Sequence, residues 1–333
     1  MSFFYIQNRR YLGNKFKLTE NIYKIISCKK INFYSFLDLF SGTGVVASHF
    51  NSKNKKIITN DILKSNEIIL SAFFESKKRP KNLTKKLKYL NSLKDSNENY
   101  FSKNYGNKYF SLKNACKIGL VRDRIDEIAN NKDEKNILLT SLIFASDKVA
   151  HTVGHYDAYR ETKIDHKPLF LKEPFINYSK NRNNRVYCAD ANEVIKKLKV
   201  DITYIDPPYN SRQYSDCYHL LENLTTWAKP QVYGKAKKMD RSEIKSKYCQ
   251  KEAPHVFRDL INNLNTKHII VSYNNTENSK HGRSNAKISF SQIKSILEKK
   301  GDVEINKINF KAFTTGKSIT NNHKEILFYC KVK

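Results

Sequence analysis

The chain has 333 residues and a formal charge of +29, from 61 Lys and Arg against 32 Asp and Glu. That length provides one large α/β domain with an insertion, or two modest domains, and such a charge points to a polyanionic partner held through its phosphates. Recurrent periodic apolar segments exclude a disordered chain, the absence of any run of about 18 apolar residues excludes a helical membrane span, and six scattered cysteines without a C-x-x-C pair argue against zinc or an iron–sulfur cluster.

The N-terminal YLGNKFKLTENIYKII opens on a glycine turn and then shows helical spacing through Leu18, Ile22, Ile25 and Ile26. FYSFLDLF (33–40) reads as a strand, breaks into SGTG (41–44) and resumes as a helix at VVASHF. KIITND (56–61), RVYCAD (185–190), DITYIDPPY (201–209) and HIIVSYNN (268–275) read as further strands, and INKINFKAF with EILFYCKV as a closing antiparallel pair. Residues 75–180 interrupt this alternation with a basic run, KKRPKNLTKKLK (77–88), and helical patterns in VRDRIDEIA and KNILLTSLIFASDKVA. The expected division is therefore residues 1–74 and 181–333 for an α/β domain with a mainly parallel sheet, and 75–180 for a mostly helical insertion. In parallel sheets ligands bind beyond the carboxyl ends of the strands, and here four strands end in or beside Asp38, Asp61, Asp190 and Asp206.

Asp38-Leu39-Phe40-Ser41-Gly42-Thr43-Gly44 joins a strand to a helix, with glycines that let backbone approach a ligand closely. A tight strand–helix turn would use the same glycines; Asp61, one strand later, favours a ligand, because a carboxylate there can accept from both hydroxyls of a ribose. The three-glycine dinucleotide fingerprint is missing, so a nucleoside without phosphates fits better than a pyrophosphate. Asp206-Pro207-Pro208-Tyr209 ends its strand in a turn whose prolines lock two φ angles and remove two donors. The Asp206 carboxylate and the Pro207 carbonyl form a rigid pair of acceptors suited to the hydrogens of a nucleobase amine, localising its lone pair, and Tyr209 offers a stacking plane.

DLFSGTG, the Asn60-Asp61 pair, DANEVI (190–195) and DPPY, in that order, resemble the amino-methyltransferases, and among them the Dam-like DNA adenine methylases of the alpha group. Tyr11-Leu12-Gly13-Asn14-Lys15 is similar to the element that this group places first in the chain, and the likeness covers nearly everything outside 75–150. It implies a Rossmann-like methyltransferase fold using S-adenosylmethionine, with the helical insertion serving target recognition. By position, Asp38, Phe40, Gly42 and Gly44 would line the cofactor site, Asp61 would hold its ribose, and Asp190 would accept from its adenine amine. Lys15 with Tyr11 would border its methionine end. Where the family places an aromatic residue after the Asp190 position, this chain has Ala191, which alters that edge of the site. The implied reaction is N6 methylation of an adenine flipped out of duplex DNA, by a cytoplasmic, nucleoid-associated monomer serving bacterial or phage modification alongside a cognate restriction endonuclease.

Arg212 and Tyr214, directly after the catalytic turn, are expected to contact DNA near the flipped base, and Lys237, Lys238 and Arg241 of the basic segment 235–251 to grip phosphates. His151, His155, Asp157 and Arg160 fall in one short stretch, but H-x-x-x-H without the zincin glutamate reads as a helix end or DNA-facing loop, and no metal is expected. The same chemistry on cytosine N4, an RNA adenine or a glutamine side chain is the nearest alternative. A non-catalytic nucleic-acid-binding protein on this scaffold is the alternative of a different class.

Overall fold

The computed structural model describes residues 2–94, 97–165, 167–274, 286–309 and 324–333. It divides into two compact units, one made of residues 13–62, 183–214 and 244–333, the other of 1–12, 63–182 and 215–243.

The first unit is built on seven strands: β1 (Ser35–Asp38), β2 (Lys56–Asn60), β3 (Arg185–Tyr187), β4 (Lys199–Ile205), β5 (Asn265–Asn274), β6 (Gly301–Asn309) and β7 (Lys324–Val332). Their order in the sheet is β3-β2-β1-β4-β5-β7-β6. β1 to β5 are mutually parallel, β7 runs antiparallel to β5, and β6 antiparallel to β7. All four residues of β1 are buried, as are Ile202 to Ile205 of β4 and Ile269 to Asn274 of β5, the continuous burial expected of strands covered on both faces. Helices Ala253–Asn263 and Phe290–Glu298 supply Phe257, Leu260, Ile261, Ile293 and Leu297 to a core shared with Leu37, Ile205, Val271 and Phe328. Both helices start where their sequences direct: Pro254 occupies the first turn of one, and Ser289 with Gln292 forms a reciprocal capping box on the other.

The second unit is helical, with Lys64–Phe74, Leu83–Ser92, Tyr100–Tyr105, Leu112–Ile128, Lys132–Val149 and His219–Thr226, and a two-residue parallel pairing of Phe3–Phe4 with Glu173–Pro174. It takes in more of the chain than the 75–180 expected from sequence, adding the first twelve residues, the helix after β2 and residues 215–243. The cause is burial: Ser65 to Phe74 are all buried, and Leu220, Leu221 and Leu224 have no exposed surface. Arg122, also buried, ties its helix to the end of His219–Thr226 by donating to the carbonyls of Leu224 and Thr225 at 2.8 and 3.2 Å.

Among the described residues, no helix is long and apolar enough to cross a membrane. Four cysteines are buried, and Cys28 and Cys188 are exposed.

Candidate active site

The carboxyl ends of the parallel strands gather the expected residues along one edge of the sheet. After β1 the chain turns through Gly42 at φ +51° and Gly44 at φ +76°, left-handed conformations that disfavour other residues. Gly44 is the N-cap of the helix Val45–Phe50. The loop is fastened from three directions. Asp38 accepts from the Ala47 amide at 3.1 Å, the Ser41 hydroxyl donates to the Asp38 carbonyl at 2.6 Å, and Asp61 Oδ2 accepts from the Gly42 amide at 2.9 Å. Asn60 carries the arrangement onward by donating to the carbonyls of Leu39 and Ala189 at 3.2 and 3.1 Å, which links the ends of β1, β2 and β3.

Beyond β3, Asp190 caps the short helix Ala191–Val194 by accepting from the Asn192 amide at 2.9 Å, and Ala191 is buried in the core. Tyr248 donates to Asn192 Oδ1 at 2.8 Å and meets the half-buried Phe40 edge to face at 5.1 Å. Tyr248 was not singled out from sequence, since it lies inside the basic segment 235–251; its isolation as an aromatic among lysines was the only signal.

β4 delivers Asp206. The turn that follows is held at its backbone: the Tyr209 carbonyl accepts from the Lys287 amide at 2.8 Å and from the Tyr273 hydroxyl at 3.3 Å. Lys15 Nζ lies 2.9 Å from Asp206 Oδ1 and 5.9 Å from the centre of the Tyr209 ring. Gly13, at φ +74°, lets the N-terminal element reach this position; a methyl there would stand 2.8 Å from the Tyr214 hydroxyl. A second carboxylate shares the lysine. Glu325, the second residue of β7, places Oε1 3.4 Å from Lys15 Nζ and accepts from the Ser272 hydroxyl at 2.7 Å.

Among the described residues, the Lys15 ammonium stands between two carboxylates, which sets the electrostatics. Burial pushes Asp206 up to about 6; Lys15 opposes this, and Glu325 adds to it. Asp38 rises to about 8, through burial first, against its bond from Ala47 and with the charges of Asp206 and Asp61. Burial works against the Lys15 ammonium, yet Asp206 and Glu325 outweigh it and hold its pKa well above the usual lysine value. The Tyr209 hydroxyl is also raised, mainly by burial.

Tyr11 belongs to the helical unit, stacked on Tyr218 at 4.4 Å and accepting from Asn66 at 2.9 Å. Lys237, Lys238 and Arg241 are in that unit too. There Lys238 pairs with Asp157 at 2.5 Å and Asp216 at 3.4 Å, and Arg241 pairs with Asp216 at 2.8 Å. Lys237 instead neighbours a like charge: burial and Lys237 together lower the pKa of Lys108. Arg212 is exposed, its amide bonded to Asn210 Oδ1 at 3.0 Å. The His151–Glu161 stretch is an irregular loop in which His155 is buried and the His151 ring meets the Thr162 carbonyl at 3.0 Å. No group of three or more metal-ligating side chains occurs among the described residues.

Residues 11–281 match the model of the D12 class N6 adenine-specific DNA methyltransferases. The chain belongs to this family. Among its relatives are the modification methylase StsI of Streptococcus sanguinis, 33% identical over 97% of this chain and 52% of that protein, and the type II methyltransferase M.FokI of Planomicrobium okeanokoites, 35% identical over 79% and 44%. The type II methyltransferase M.NlaIII of Neisseria lactamica is 31% identical over 94% of this chain and 95% of its own. The chain thus spans about half the length of StsI and M.FokI and nearly all of M.NlaIII. Both glycines of the loop, Asp61, Asp190 and the Asp206–Tyr209 turn of this D12 family member fall inside the matched residues; Glu325 lies beyond them.

Proposed function

We propose that the protein transfers a methyl group from S-adenosylmethionine to the N6 amine of an adenine extruded from duplex DNA. The observation that carries the reading is Asp206: a carboxylate at the end of a central parallel strand, beside one buried lysine and followed by a turn of two prolines and a tyrosine whose backbone is pinned.

The residues at the strand ends fit the cofactor. Positive φ angles at Gly42 and Gly44 leave a cradle without side chains, and Asp61 and Asp190 supply acceptors at two successive strand ends. A nucleoside presents the matching donors, two ribose hydroxyls and one exocyclic amine. Asp61 would hold the ribose while its Oδ2 secures the loop, Asp190 would take the amine, and Phe40, backed by Tyr248, would border the base, with Ala191 leaving more room there than an aromatic would. When bound, S-adenosylmethionine supplies an activated methyl group.

The chain's own residues prepare the acceptor. Adenine N6 is a poor nucleophile because its lone pair is delocalised into the ring. Asp206 Oδ2 and the Pro207 carbonyl would accept its two hydrogens and favour a pyramidal nitrogen, while the prolines keep both acceptors in place. Lys15 orients Asp206 through Oδ1. Tyr209 would stack on the extruded base, and the surplus proton of the methylated amine leaves to solvent. Arg212 and Tyr214 would meet DNA next to the turn.

Within the helical unit, which we assign to target recognition, Lys237 with Lys108 is a better phosphate grip than Lys238 or Arg241, whose charges are already met by Asp157 and Asp216. The reading extends to a cytoplasmic enzyme acting as a monomer on DNA, paired with a cognate endonuclease. Nucleoside analysis of hydrolysed DNA from an expressing host, with modification-sensitive sequencing of the intact DNA, tests it: N6-methyladenine is expected as the modified nucleoside, at one sequence context. N4-methylcytosine, or unmodified DNA beside methylated RNA, would refute it.

A further inference from the structure

Glu325 has no part in the sequence motifs and lies outside the residues matched by the family model. Its position follows from topology. β1 to β5 bring their carboxyl ends to the site, but β7 runs antiparallel to β5, so its amino end arrives there, with Glu325 opposite Asn274. Its side chain is 5% exposed and that of Lys15 7%. A second carboxylate buried around a single cation is expensive, because desolvation of each charge costs several kcal/mol and one lysine cannot neutralise two acids. The Ser272 hydroxyl, buried and aimed at Oε1, shows that the carboxylate is held in place.

We propose that Glu325 is a positioning residue for methyl transfer: it shares the Lys15 ammonium with Asp206, fixing the lysine while leaving the Asp206 carboxylate only partly neutralised when it grips the amine. This rests on the reading of Asp206 as the amine's acceptor. Lys15 and Asp206 alone would form a neutral pair, and a carboxylate 2.9 Å from an unshared ammonium is a weakened acceptor for a second donor. With Glu325 the three groups carry a net charge of −1 (one cation, two anions), which favours positive charge developing on the attacking nitrogen. Among the described residues, the titratable and charged groups facing Asp206 are Lys15, Glu325, Asp38, Tyr204 and Tyr209, with Arg212 acting on Tyr209.

Glu325→Gln keeps the shape and the bond from Ser272 and removes the charge. Single-turnover methyl transfer to duplex DNA should slow by about 10- to 100-fold on the plateau, with S-adenosylmethionine affinity within about threefold of wild type. The acid limb of the pH–rate profile should move to lower pH, because Glu325 helps hold Asp206 up near 6 and its loss lets Asp206 ionise more easily. An unchanged plateau overturns the proposal, as does a reduced plateau with the limb unmoved, since damage to the fold alone would leave Asp206 titrating as before. Should Glu325→Gln fail to fold, Ser272→Ala carries the test: a rate loss of about threefold or more is expected from freeing the carboxylate, and a wild-type rate overturns the proposal. Asp206→Ala run alongside separates the two readings. If it is inactive while Glu325→Gln is fully active, only the Glu325 assignment fails; if Asp206→Ala is active, the reading of Asp206 itself fails.

Discussion

Replacing Lys15 by methionine keeps the length and apolar stem of the side chain and removes the one cation between two buried acids. At an effective dielectric constant of about 20, attractions over 2.9 and 3.4 Å amount to about 6 and 5 kcal/mol before desolvation is counted. Burying the lysine and the repulsion between Asp206 and Glu325 offset much of this, and removing one partner of a buried pair typically costs about 3–5 kcal/mol. We expect a loss in that range at pH 8. The loss must shrink on acidification. Without Lys15 the native carboxyl of Asp206 moves further above its unfolded value of about 4. Between those two values the unfolded chain binds fewer protons than the native one, so the variant loses stability as pH rises and regains it as pH falls. Urea denaturation of both proteins at pH 5 and pH 8 measures the difference, which should be at least about twice as large at pH 8. A loss below about 1 kcal/mol at pH 8, or equal losses at the two pH values, would mean that Lys15 does not compensate these acids.

Further outcomes test neighbouring parts of the site. Gly44→Ala forces a Cβ into a φ of +76° at a helix N-cap and should cost about 1–2 kcal/mol in urea unfolding; a neutral effect would show that the loop relaxes freely. Asp38, raised to about 8, contributes stability that is lost as pH climbs from its unfolded value through 8. Asp38→Asn should therefore gain on wild type in melting temperature between pH 6 and pH 9, and a pH-independent difference would contradict the buried neutral acid. Lys237→Ala should reduce the slope of log affinity against log salt for duplex DNA by about 1, with cofactor binding intact; an unchanged slope returns Lys237 to the solvated surface.

The motifs were legible because parallel strands impose one rule: every carboxyl end reaches the same edge, so acids after β1, β2, β3 and β4 must converge. Asp38, Asp61, Asp190 and Asp206 could be gathered from their place after apolar runs alone. Glu325 escaped the same rule because β7 is antiparallel and its acid stands at the beginning of the strand. Pairings made across the fold were equally hidden. Lys238 meets Asp157 at a separation of 81 residues and Arg241 meets Asp216 at 25, so a basic run that reads as free charge is partly neutralised at home. The stacking of Tyr11 on Tyr218 within the helical unit is likewise a pairing between residues far apart in the chain. Helical periodicity marked VRDRIDEIA (121–129) and KNILLTSLIFASDKVA (135–150) but not the full helix Leu112–Ile128 or the extent of the unit, since nothing local in residues 63–74 or 215–243 says which core will bury them.

The most direct test is the transfer of labelled methyl groups from S-adenosylmethionine to duplex DNA by the wild type and by Asp206→Ala, with DNA binding measured in parallel. Loss of a preorganised acceptor typically costs about 100- to 1000-fold in rate, while the phosphate contacts that dominate affinity are untouched. The wild type should place the label on adenine N6, and Asp206→Ala should show no detectable transfer while binding DNA within about tenfold of wild type. Methylation of adenine by Asp206→Ala at near the wild-type rate would contradict the assignment of this turn as the catalytic centre.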